Sequence, residues 1–355
     1  MKGTIGTVAG ALIVSLALSA GSRGEEKPEL TLKVGNYGGL FTGTQRKYAA
    51  DLFTRRTGIK VQYIDANPAD HLAKMIASRG REAPYDVVYL DVDVQANAAK
   101  AGVIEKVDPG AVTNLQFLYD EAKNKDGFGP GLMFYSTGIA YNTAKFKEAG
   151  IPAPTSWNDL WDPRLAGKVM LPDLSTAMGR SFLIAAARLN GGDEKNLSKG
   201  IEKIAQLKYQ SIYTSTVQLE ALLPNGDVWA APMADGRAWG LVDKGAPVAF
   251  VRPKEGAIVE MGTLDVVKGS KHPKEALEYI NTVLDPYPQL GQAYEIPYGP
   301  TNKLLAPVLE HYPDVSKKFI SSWTELKQAY LPDWKAYIEN QDQILDLWNR
   351  QVVHK

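Results

Sequence analysis

Asp91, Arg237 and Glu260 are the charged residues whose surroundings ask for a chemical explanation. Glu260 interrupts the apolar run AIVEMG, and a carboxylate there needs a cation, either a ligand ammonium or an internal Arg or Lys. Asp91 closes the run YDVVYL; with Asp93 it either meets an ammonium or caps the next helix. Arg237 lies in DGRAW, after the run VWAAPM. A guanidinium there grips a carboxylate or phosphonate at two points, and Trp239 walls an aliphatic or cationic group. The plainer alternative is a surface Arg and a core Trp.

Three uncharged or mixed groups occupy similar positions. Asn36-Tyr37-Gly38-Gly39 follows the first apolar run. Its glycines either make a plain tight turn or let the backbone approach a ligand, with the Tyr37 ring alongside. Tyr135, Ser136 and Thr137 either touch a ligand or hydrogen-bond the backbone at a hinge. Asp173, Ser175 and Thr176 open a helix, where free N–H groups favour an anion unless Asp173 itself fills that role.

Most of these follow predicted strands, where ligands of open α/β sheets collect, while Tyr135–Thr137 lead into one and Glu260 lies inside one. Strands are expected at 30–36, 59–64, 85–90, 138–142, 167–171, 228–233, 247–251 and 258–267. Helices are expected at 44–57 (Thr44 capping, Gly58 stopping), 68–79, from Ser156, up to 189, 235–244 and 273–284, with a helical tail from 312. Strands alternating with helices of this length imply parallel βαβ units.

Composition narrows the chemistry. The 355 residues suffice for two cored domains, and the net charge of zero gives no bulk attraction to nucleic acid. The chain contains no cysteine, which removes disulfides, thiol catalysis, thiolate metal sites and a lipidated N-terminal cysteine. The four histidines are isolated, and there is no HExxH, phosphate loop or GxSxG elbow, so no metal or other cofactor is expected. Lys2, the apolar run 8–20 and the small residues after it predict a signal peptide over 1–24 and a free periplasmic protein.

The segment 131–173 holds GIAYN, then PTSW, DLWDP and GKV at fixed spacing, with Pro152 and Pro154 breaking the chain between. It resembles the lobe-crossing segment of type 2 periplasmic solute-binding proteins of ABC importers, closest to the spermidine/putrescine-binding receptors. The resemblance implies a two-lobe α/β fold with a cleft and two hinge crossings, near 135–141 and 255–265. It implies a first lobe at 28–134 and 266–320, a second at 135–265, and C-terminal helices at 321–355 packing on the lobes. In YEIPYGPTN, similar to the family's late loop, Tyr298 is the implied contact. The polyamine receptors carry a Trp and, two places later, an Asp where Glu260 and Gly262 stand here. The iron receptors of the superfamily use adjacent tyrosines, and this chain has no Tyr-Tyr pair.

The expected function is capture of a small amine-containing solute by hinge closure and delivery to an inner-membrane permease, by a monomer without enzymatic activity. The solute is a polyamine or, with Arg237 as anion contact, a zwitterion such as an ω-amino acid or aminophosphonate. In that reading Arg237→Ala weakens an anionic ligand group about tenfold or more. The alternatives are an exported hydrolase or lyase and a receptor feeding a chemosensor.

Overall fold

A computed structural model describes residues 30–354; the expected signal peptide lies outside them. Ten strands form in the order β1 (Thr31–Asn36), β2 (Lys60–Asp65), β3 (Val87–Asp91), β4 (Gly131–Asn142), β5 (Met170–Pro172), β6 (Ser211–Tyr213), β7 (Ala230–Ala234), β8 (Val248–Val251), β9 (Ile258–Val266) and β10 (Gly299–Pro300). β1 pairs in parallel with β2 and β3, and β9 runs antiparallel to β3. In β3, Val87 and Tyr89 enter one core and Val88 and Leu90 another. A strand buried on both faces reads as an unbroken apolar run, which is how VVYL reads.

β4 and β9 are shared by two α/β halves. The first half of β4 pairs with β9 and β10, and its second half with β7 and β8. All twelve residues of β4 are buried. Its early residues Leu132 and Phe134 pack with Leu32, Phe53 and Tyr279, and its later residues Ile139 and Tyr141 with Trp157 and Phe182. A third passage, unexpected from the sequence, runs beside β9. Tyr330 N donates to Ala257 O and Tyr330 O accepts from Val259 N, at 2.9 and 2.7 Å. It leads from the helix Trp323–Gln328, whose Leu326 lies in the first core, to the helix Trp334–Trp348, whose Trp334, Tyr337 and Trp348 lie in the second.

Most element ends follow local chemistry. Gly58 stops its helix at φ 76°, a left-handed conformation glycine adopts without strain. Ser156 caps a 3₁₀ turn, Trp157–Trp161, with Asp159 completing the capping box. The first helix differs: it starts at Gly39, so Thr44 is interior and buried instead of capping. The helices Ser198–Ile204, Thr216–Asn225 and Pro286–Glu295 were not anticipated. Among the described residues no helix is long and apolar enough to cross a membrane.

Candidate ligand cleft

Strand ends from both halves converge on a buried polar cluster. Tyr135 and Glu260 face each other directly across β4 and β9, so their side chains are neighbours. The Tyr135 hydroxyl lies 3.1 Å from Glu260 Oε2 and 3.1 Å from Asp91 Oδ1. Asp91 ends β3. It stands at the N-cap of the helix Val92–Ala101, yet its side chain makes no capping bond. It turns instead to Tyr135 and to the Tyr37 hydroxyl, 3.2 Å away, which also donates to Leu90 O at 2.8 Å. Phe41 and Tyr89 brace the Tyr37 ring edge-on.

The other half contributes the helix Ala177–Leu189. Its Ser181 hydroxyl donates to Glu260 Oε1. Its Arg180 Nε lies 2.6 Å from Asp93 Oδ2, with only 12% and 6% of the two side chains exposed. The contact is one of charge: the Nε–H is not aimed along the line to Asp93, and Asp93 Oδ1 is buried with no donor. Arg180 Nη1 donates to the carbonyls of Leu174 and Ser175, which fixes the side chain against its own helix start.

Burial sets the electrostatics. It pushes Glu260 up to about 8, against the pull of Arg180 and with a further push from Asp93. It pushes Asp91 up to about 6; Asp93 adds to the rise, and Arg180, Tyr135 and Tyr37 oppose it. Burial works against the Arg180 charge too, but Asp93 and then Glu260 outweigh it and its pKa rises. Burial and then Asp91 raise the Tyr37 and Tyr135 phenols well above their usual range.

The remaining sequence candidates sit elsewhere or do other work. Asn36 accepts from Tyr37 N at 2.8 Å, and its buried Nδ2 has no partner. Ser136 donates from both N and Oγ to Asp235 Oδ2, at 3.1 and 2.7 Å. Asp235, pushed up to about 6 by burial, is itself a buried acid that sequence reasoning passed over. Thr137 is fully buried, its hydroxyl unpartnered. Asp173 accepts from Ser175 N and Trp348 Nε1, and Thr176 caps the helix Ala177–Leu189 through Gly179 N. Arg237 is exposed and 3.6 Å from Glu220. It lies beside Tyr298, whose ring sits 5.8 Å from that of Tyr135. Trp239 is half-buried with its indole N–H unpartnered. The structure therefore gathers Tyr37, Asp91, Tyr135 and Glu260, with Tyr298 and Arg237 at the edge.

Sequence reading missed Arg180, Ser181 and the nearby buried Tyr337. The readable sign was an Arg-Ser pair one turn into an otherwise apolar helix, just past β5. Gly179 lets that turn close, because a Cβ there would come within 2.0 Å of Asp173 O. Gly179→Ala is expected to cost about 1–3 kcal/mol in urea unfolding, as overpacking against backbone does. Stability equal to that of the native chain would show that the turn yields freely.

A surface concavity around Asn158, Trp161 and Arg164 includes none of the cluster's residues. Among the described residues no group of three or more His, Asp or Glu is arranged to hold a metal ion.

Known proteins match along most of the chain. The model of a family described as bacterial extracellular solute-binding protein matches residues 48–328. The spermidine/putrescine-binding periplasmic protein of Salmonella typhimurium is 27% identical over 293 residues, covering 76% of this chain and 81% of that protein. The putrescine-binding periplasmic protein PotF of Escherichia coli is 26% identical over 328 residues, covering 86% and 85%. An ABC transporter structure from Clostridium perfringens superposes with a TM-score of 0.76 at 26% identity, over 90% of this chain and 99% of that one.

Proposed function

The chain belongs to the bacterial extracellular solute-binding proteins, and from that premise we propose that it captures a small amine-bearing cation between its two halves and presents the closed form to an ABC permease. One observation carries the ligand class. Three carboxyls, the buried Asp93 and Glu260 and the half-buried Asp91, face a single guanidinium, Arg180. A ligand ammonium makes up the missing positive charge, and Tyr37 and Tyr135 supply ring faces and hydroxyls around it. The names of the spermidine/putrescine-binding and putrescine-binding relatives support an amine.

Closure follows from where these groups sit. Tyr37 and Asp91 belong to one half, Arg180 and Ser181 to the other, and Tyr135 and Glu260 to the shared strands. A solute touching all three sets does so only with the halves together, so it favours the closed form by that difference in contact. In this reading β4, β9 and residues 329–333 are the hinge, the lobes divide as 28–134 with 266–320 and 135–265, and the chain is exported to the periplasm by residues 1–24.

Arg180 also admits a second reading. A short ω-amino acid would set its ammonium against Asp91 and Glu260 and its carboxylate against Arg180. A thermal-shift series with putrescine, spermidine and γ-aminobutyrate separates the two, because a bound solute raises the melting temperature by mass action. Putrescine or spermidine is expected to give the larger shift. A response to neutral or purely anionic solutes alone would overturn the cationic reading. With putrescine as probe, calorimetry should find Tyr135→Phe about tenfold weaker and Arg237→Ala changed by about twofold at most, as for an exposed charge. A tenfold loss in Arg237→Ala would return the ligand contact to the rim.

A further inference from the structure

The oxygen contacts around Tyr135 form a chain whose protons can be counted. Ser181 Oγ touches Glu260 Oε1, and the Tyr135 hydroxyl touches both Glu260 Oε2 and Asp91 Oδ1, at 3.1 Å each. The Tyr37 hydroxyl touches Asp91 Oδ1 and Leu90 O, at 3.2 and 2.8 Å. Each of these five contacts brings two oxygens within hydrogen-bond reach, so each needs one proton between them. The three hydroxyls bring only three. With both carboxyls ionised, two contacts set lone pair against lone pair, a costly arrangement in a buried site.

One proton on each carboxyl satisfies all five contacts in a single direction. Ser181 donates to Glu260, Glu260 to Tyr135, Tyr135 to Asp91, Asp91 to Tyr37, and Tyr37 to the Leu90 carbonyl. We propose that the closed cleft holds up to two protons, on Glu260 and Asp91, and that a bound ammonium replaces them, so that solute and protons exchange at this site. This rests on the cationic-solute reading above. The protons leave to solvent, and the carboxylates they vacate take the ammonium as their counter-charge.

The neighbouring groups agree with this count. Arg180, from the helix Ala177–Leu189, is 2.6 Å from Asp93 of the helix Val92–Ala101, and these two charges offset each other. Tyr337 of the C-terminal helix and Tyr298 near β10 are phenols whose burial keeps them neutral. Arg237 lies beyond Tyr298 and is exposed, and Asp235 is held by Ser136. Arg252 acts on Asp235, and Arg180 is the cation that acts most strongly on Glu260 and Asp91. Burial independently pushes Glu260 up to about 8 and Asp91 up to about 6. At neutral pH these values keep a proton on Glu260 and leave Asp91 mostly ionised, so about one proton is exchanged there, and the second is taken up only as the pH falls towards 6.

Calorimetry of putrescine with the full chain, repeated at pH 7 in buffers of different ionisation enthalpy, counts the protons released. About one is expected, and close to none in Glu260→Gln. Putrescine keeps its charge over this range, so its affinity should be roughly fifty- to a hundredfold weaker at pH 6 than at pH 8. Binding with no buffer dependence overturns the exchange and leaves the cationic reading standing. If no amine binds and a neutral or anionic solute does, the cationic reading fails and the exchange fails with it. An infrared carbonyl band of protonated carboxyl, present in the ligand-free native chain at pH 7 and lost in Glu260→Gln, tests the bound proton without any solute. Its absence from the native chain overturns the inference outright.

Discussion

Arg180→Met should open the cleft in solution. The substitution removes the counter-charge of Asp93, whose side chain is only 6% exposed beside it. An uncompensated buried carboxylate costs about 3–5 kcal/mol when its partner is deleted. The protein can relieve that cost without unfolding, because Asp93 and Arg180 stand on helices of different halves and separation lets water reach Asp93. A penalty of this size shifts a closed–open equilibrium by a factor of a hundred or more. Small-angle scattering should therefore give a larger radius of gyration for Arg180→Met than for the native chain. The double variant Arg180→Met with Asp93→Leu should return to the native radius, since apolar replacement of a whole buried pair is close to neutral. A single variant with unchanged dimensions and an unchanged melting temperature would mean that the pair contributes nothing to closure.

The same pair shows what local pattern can and cannot reveal. Tyr37, Asp91, Tyr135 and Glu260 were legible because each is a polar residue at the end of, or inside, an apolar strand, and strand ends are where α/β sheets present side chains to ligands. Arg180 was not, because a single Arg in a helix reads as a solvated position; only the fold brings Asp93 up against it. Arg237 was chosen from DGRAW, and the helix Asp235–Asp243 shows why it stands at the rim and not inside. Successive helical residues turn by about 100°, so positions 235 and 237 point to nearly opposite sides. With Asp235 turned inward to Ser136, Arg237 faces outward to Glu220.

The fold divides along similar lines. Caps and stops such as Gly58, Ser156 and Pro273 are local chemistry and stand in the sequence. The passage at Tyr330 does not, because it depends on a bridge to Ile258, far away in the chain, and it has no periodicity of its own. Gly262 is a subtler case. The polyamine-receptor pattern that the sequence resembles has an acid there, whereas a Cβ at Gly262 would lie 3.2 Å from the Tyr37 hydroxyl and 2.5 Å from Met133 Cε. The space such a side chain would enter is taken by Tyr37, which carries the contact to Asp91 instead.

Glu260→Gln should make the protein more stable at pH 8 and bind its solute less well. The folded state raises this carboxyl from 4.5 to about 8, chiefly by burial. Between those values the native protein keeps a proton that the unfolded chain gives up. Its stabilising contribution is therefore complete below pH 4.5 and is lost as the pH rises towards 8. Asp91, Asp235 and Asp265, each raised to about 6, add to the slope at lower pH. From pH 6 to 8 the slope belongs mainly to Glu260, at about 1.4 kcal/mol per unit, or roughly 2–3 kcal/mol in all. Glutamine keeps the shape, donating to Tyr135 and accepting from Ser181, but does not titrate. Stability to urea at pH 6, 7 and 8 should thus fall steeply for the native chain and much less for the variant, mostly below pH 7, and parallel curves would sink the assignment. The affinity cost should run the other way. At pH 8 the variant lacks the carboxylate that meets the ammonium, a charge-assisted bond whose loss weakens putrescine by about ten- to a hundredfold. A glutamine at this position would give a more stable closed protein, and the acid is retained at a cost in stability because the solute's charge, like the proton, needs a buried carboxylate to meet.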